Sequence, residues 1–69
     1  MLDITPHARK RMRQRSISRI EIEYCLNNHD ISYSDKKGNP IFIANTVSGR
    51  RIKVVVDKDN PQRIITVGD

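Results

Sequence analysis

From Ile4 to Leu26 the apolar residues recur at helical spacing, and from Ile31 onward they alternate. Ile4, Ala8 and Met12 fall every four residues and can share one buried face. Thr5 is a good N-cap and Pro6 suits the first helical position, where a missing N–H costs nothing, so a helix is predicted to end near Gln14 or Arg15. Ser16-Ile17 is the link. Ser18-Arg19-Ile20-Glu21 has the form of a capping box, with Ile17 and Ile22 at the positions of a hydrophobic staple. The second helix is predicted from about Arg19 to Asn28. Ile22, Cys25 and Leu26 line its inner face, Glu21 and Glu23 turn outward, and Asn27-Asn28-His29-Asp30 stops it.

Beyond this hairpin the period is two. Ile31-Ser32-Tyr33-Ser34 alternates, Asp35-Lys36-Lys37-Gly38-Asn39 is a turn, and Pro40 to Ala44 is a second strand. Thr46-Val47-Ser48-Gly49 turns the chain into the strongest strand, Arg51-Ile52-Lys53-Val54-Val55-Val56. Asp59-Asn60-Pro61 leads to the last, Arg63 to Val67. Ile52, Val54 and Val56 should face the helices, with Arg51, Lys53 and Val55 on the other side. The order ααββββ predicts an α+β fold in a single domain, residues 1–69. Its two N-terminal helices pack on one face of an antiparallel sheet of three to four strands. The other face is expected to expose Arg51, Lys53 and Val55, together with either Ile65 and Val67 or Ile64 and Thr66.

At 69 residues the chain buries only about 60% of the surface its unfolded form exposes, so its margin of stability is thin. Ile and Val dominate the apolar set, which favours a sheet-built core. The net charge of +5 is uneven, because Arg9, Lys10, Arg11, Arg13, Arg15 and Arg19 follow one another with no acid between them. Clustering of this kind marks a polyanion partner, of which nucleic acid is the commonest. A membrane-surface helix would need Trp, Phe or Leu on its apolar stripe, and this stripe has none, so no membrane partner is expected. There is no apolar signal segment. The single cysteine precludes an internal disulfide and fits a reducing compartment, so the expected location is the cytoplasm.

His7, Arg11 and Arg15 form a second column, one residue before the apolar stripe at each turn. An imidazole thus heads a line of guanidinium groups. It stands in the first turn, one turn before Arg11, as a candidate general base. The same residues also fit a solvated basic face that only attracts phosphate. Cys25 and His29, four apart, could share a metal, though a buried cysteine is commonly a small apolar residue. Asp57 and Asp59 fit a hairpin turn better than a magnesium site. No glycine-rich phosphate loop occurs, and no cofactor or metal is implied.

The string His7-Ala8-x-x-Arg11-Met12-x-x-Arg15-x-Ile17-Ser18, the acidic second helix, Gly49-Arg50-Arg51-Ile52-Lys53-Val54-Val55-Val56 and Ile64-Ile65-Thr66-Val67 together resemble the bacterial domain of unknown function 4258. The resemblance covers nearly the whole chain. Members of that family resemble toxins of the RelE and ParE superfamily, which are small ribonuclease-like folds usually encoded with an antitoxin. The resemblance implies two helices on a curved antiparallel sheet and metal-independent cleavage of RNA, with ribosome-bound mRNA among the candidate substrates. Carried over by position, the signature falls on His7, Arg11, Arg15 and Arg51 as candidate catalytic residues. RelE-like toxins often carry a basic or aromatic catalytic residue just past the last strand. Gly68-Asp69 stands there in this chain.

Metal-free RNA cleavage uses the 2′-hydroxyl as an internal nucleophile. His7 is the candidate base, and Arg11, Arg15 and Arg51 can hold the developing charge, since guanidinium matches phosphate oxygens in a fork. Arginine cannot readily supply the proton for the leaving 5′-oxygen, which leaves Lys53, Tyr33 and His29 as candidate acids. Arg9, Lys10, Arg13, Arg19 and Lys53 are the candidate contacts to the nucleic-acid backbone. The principal expectation is a toxin-type endoribonuclease. Its rivals are a non-catalytic nucleic-acid-binding module and a protein-interaction module using the open sheet face.

Overall fold

A computed structural model describes residues 1–69. In chain order the elements are β1 (Asp3–Ile4), α1 (Pro6–Arg15), α2 (Arg19–Asn28), β2 (Ile31–Ser34), β3 (Pro40–Asn45), β4 (Arg51–Asp57) and β5 (Asn60–Gly68). The helix ends follow the local chemistry. The Thr5 hydroxyl accepts the N–H of Ala8 at 3.2 Å, and Ser18 and Glu21 complete a reciprocal capping box. Ile17 and Ile22, the staple pair, are both buried in the core. α1 ends at Ser16 in the left-handed conformation, with φ at 55°, and the N–H of Ile17 donates to the Met12 oxygen at 2.9 Å.

The sheet has five strands in the order β1-β5-β4-β3-β2, and it is mixed. This corrects the expectation of three to four antiparallel strands. The added strand, β1, runs parallel to β5 with Asp3 opposite Arg63 and Ile4 opposite Ile64. Two residues are too few to show an alternation. The position is held instead by burial of Ile4 and by the Arg63–Asp3 ion pair at 3.2 Å. All other pairings are antiparallel.

α1 packs over β5, and α2 over β3 and β4. Ile52, Val54 and Val56 face them as expected and join Ala8, Ile22, Cys25 and Ala44 in one core. Neither alternating set expected on the open face of β5 is found there. Ile64 and Val67 are both in the core, because the register slips between Val55 and Val56: Val55 opposes Thr66 while Val56 opposes Ile64. Ile65 is the extra residue of a β-bulge, which lets two residues three apart face the same way. The last turn also comes earlier than expected. Asp57 pairs with Asn60, so Pro61 already lies inside β5. Neither helix is long and apolar enough to cross a membrane.

Candidate nucleic-acid interface

β1 pairs only with Arg63 and Ile64, so the rest of that edge of β5 has no neighbouring strand. Side chains occupy it instead. The Thr5 hydroxyl donates to the Ile65 oxygen at 3.1 Å, and Arg11 Nε donates to the Val67 oxygen at 3.2 Å. Arg9 makes a similar bond to the Ile4 oxygen at 3.2 Å. α1 is thereby laid along the uncovered edge of β5, with the column of His7, Arg11 and Arg15 on the same helix.

Cross-strand partners share a face of the sheet. Lys53 opposes Gly68, and both belong to the face away from the helices. A Cβ at Gly68 would stand 3.4 Å from Arg11 Nη2. The guanidinium therefore packs against the Gly68 backbone at the edge of β5, while Lys53 projects from the next strand on the open face. Gly68 is buried, and its lack of a side chain gives the Arg11 guanidinium room against the strand. Beside this pair, Thr66, Val55, Ile41 and Tyr33 form a row across the sheet. Ile41 and Val55 are buried there although no helix covers them.

The other candidates are dispersed. Arg51 is on the open face, but at its far end it pairs with Asp30 at 3.3 Å and donates to Asn45 at 3.0 Å. Arg15 lies 3.8 Å from Asp69, and Arg19 makes an i,i+4 pair with Glu23 at 3.8 Å. His7, Arg9, Lys10 and Arg13 are exposed. Of the candidate acids, Lys53 is exposed on the open face, opposite Gly68. Tyr33 is on β2, with β3 and β4 between it and the strand that α1 covers. His29 packs its ring 4.6 Å from Phe42, whose strand neighbours Ile41 and Ile43 face the other way.

Arg50 escaped the reading of the sequence. Its guanidinium donates to the Ser16 oxygen at 2.8 Å, to the Arg15 oxygen and to the Asp69 carboxylate at 2.8 Å. It closes the C-terminus of α1, where main-chain carbonyls lack helical partners. The hydrogen bond from Arg50, with the charges of Arg50 and Arg15 behind it, holds the Asp69 carboxyl below the usual carboxylate range. No spacing in the sequence announces this. The only cue is that a helix ending at Ser16 leaves oxygens in need of a donor.

Cys25 is fully buried, with its thiol 3.4 Å from the Phe42 oxygen. Burial, aided by the negative charge of Asp30, pushes its pKa up to about 11. That is the environment of a packing residue, because a nucleophilic or metal-binding cysteine needs the thiolate. No group of three or more His, Cys, Asp or Glu side chains is placed to hold a metal ion.

A family model described as a domain of unknown function, DUF4258, matches residues 4–69. The chain belongs to the DUF4258 family. Neither a curated protein nor a solved structure matches it. The match takes in both helices and β2 to β5, so the Arg11–Gly68–Lys53 arrangement lies within the DUF4258 domain.

Proposed function

We propose that this DUF4258 domain is a toxin-type endoribonuclease that cleaves RNA without a metal, in the manner of the RelE and ParE toxins it resembles. The supporting observation is that the Arg11 guanidinium lies against Gly68, the cross-strand partner of Lys53. In this reading Arg11 and Lys53 supply the two positive groups that hold a phosphodiester. In the reaction, His7 takes the proton of a ribose 2′-hydroxyl and the 2′-oxygen attacks phosphorus. The bond to the 5′-oxygen breaks, and the Lys53 ammonium supplies that oxygen with its proton. The products are a 2′,3′-cyclic phosphate and a free 5′-hydroxyl. Arg11 holds the charge that builds on the phosphoryl oxygens. The protein acts in the cytoplasm, on free or ribosome-bound mRNA, under the control of an antitoxin.

A second reading is a non-catalytic RNA-binding module. It is favoured by Arg9, Lys10 and Arg13, which are exposed and form no ion pair, whereas Arg15 and Arg51 are engaged by carboxylates. End-labelled RNA incubated in EDTA with the unchanged protein and with His7→Ala, Arg11→Ala and Lys53→Ala separates the two. Fragments with cyclic phosphate ends, lost in His7→Ala and Lys53→Ala, support the nuclease. Binding without cleavage that survives His7→Ala replaces it with the binding module. RNA that is neither cut nor bound removes both.

A further inference from the structure

The edge opposite the basic helix carries a different signal. β2 is the outermost strand there, and all four of its residues are exposed. Edge strands in soluble proteins are ordinarily guarded by a lysine, a proline, a bulge or a covering element. Ile31-Ser32-Tyr33-Ser34 contains no charge and no proline, and its pairing with β3 is regular. α2 sits over β3 and β4 and leaves β2 bare. Ile31 and Tyr33, which share the open face, stay 43% and 49% exposed and are among the few large apolar side chains left in water.

We infer that β2 pairs with β2 of a second copy of this chain, in antiparallel register about Ser32. The argument for this occupant is self-complementarity. Centred on Ser32, an antiparallel pairing sets Ile31 of each copy against Tyr33 of the other. A shift of the centre to Tyr33 would set Ile31 against Asp35. In the Ser32 register Asp30 meets Ser34, His29 meets Asp35 and Asn28 meets Lys36, so no like charges oppose one another. The positive charge of the chain is concentrated on α1, over β5, with β4 and β3 between it and the joining edge. Near that edge Asp30 and Arg51 neutralise each other. A two-fold axis normal to the sheet keeps the helices of both copies on one side. It also continues the apolar row of Ile41 and Tyr33 into Ile31 and Ile43 of the second copy. The two basic helices end at opposite extremes of a ten-stranded sheet. A four-residue edge buries less than the roughly 800 Å² per partner of a standard interface, so the dimer is transient. This inference does not depend on the proposed activity.

Sedimentation equilibrium of the full chain up to millimolar concentration tests it. The expected result is reversible association between 8.0 kDa and twice that mass, weakened at least tenfold in Tyr33→Lys and unchanged in His7→Ala and Arg11→Ala. The register is read by mild oxidation. Ser32→Cys, which meets itself on the axis, should form a disulfide-linked dimer, while Ser34→Cys should not; the buried Cys25 takes no part. Circular dichroism melts show that the variants remain folded. A chain that stays monomeric throughout, association indifferent to Tyr33→Lys, or equal cross-linking of the two cysteine variants would each overturn the inference.

Discussion

Arg11 Nε donates to the main-chain oxygen of Val67 at 3.2 Å, so a side chain that helical spacing offers to phosphate also finishes the edge of the sheet. The two duties separate in variants. Arg11→Ala should lower stability by about 1 kcal/mol, the usual contribution of one hydrogen bond, and weaken RNA binding at the same time. His7 has no such bond to the fold and is exposed. His7→Ala should therefore leave the urea midpoint unchanged and abolish only cleavage. Urea titrations run alongside binding and cleavage assays check both statements.

Thr5 has a comparable double attachment. Its hydroxyl accepts from Ala8 and donates to Ile65, which ties the first turn of α1 to the bulge in β5. Thr5→Val keeps the shape, loses both bonds and leaves the Ile65 oxygen without this donor. Stability should fall by about 1–2 kcal/mol. In hydrogen exchange, the amides of the first turn of α1 should be the ones that lose protection.

Local chemistry was legible wherever a few neighbouring residues decide the outcome. Thr5-Pro6, the Ser18–Glu21 box and the apolar alternation of β4 each specify their element without help from distant parts of the chain. What remained hidden depends on residues about sixty apart. β1 exists because Asp3 and Ile4 find Arg63 and Ile64. The bulge at Ile65 is invisible in a run of Ile64-Ile65-Thr66-Val67, since either alternating set looks apolar. The candidate site divides in the same way. The His7, Arg11 and Arg15 column follows from helical spacing, but the contact of Arg11 with Val67 and Gly68 depends on how α1 meets the edge of β5. The pairing of Arg15 with Asp69 and of Arg51 with Asp30 depends on tertiary geometry as well.

The buried thiol of Cys25 makes stability fall in alkali. In the folded chain its pKa is raised from 9.0 to about 11, first by burial. A raised pKa means that the folded state holds its proton after the unfolded state has released it. The contribution is thus complete below pH 9 and is lost progressively as pH rises from 9 toward 11. Two units correspond to about 2–3 kcal/mol. Urea midpoints measured at pH 8 and pH 10.5 should diverge in the unchanged protein by more than in Cys25→Ala. At pH 8 the native thiol should also resist iodoacetamide, which reacts readily once the chain is unfolded.

The basic residues of α1 differ in how free they are to meet a polyanion, and salt dependence should rank them. Arg9, Lys10 and Arg13 are exposed without ion pairs, while Arg51 is held by Asp30 and Asn45. A cation that neutralises a phosphate releases counterions, and each such contact adds about 0.7 to the log–log slope of affinity against salt on single-stranded RNA. Lys10→Ala and Arg13→Ala should each reduce the slope by about that amount. Arg51→Ala should reduce it by less, because binding there first requires release from Asp30. Asp30→Asn should then raise affinity at low salt and restore to Arg51 a full share of the slope. Fluorescence anisotropy with a short labelled RNA across a salt series measures all four variants. Equal slopes for Lys10→Ala and Arg51→Ala would mean that the Asp30 pair does not hold in solution.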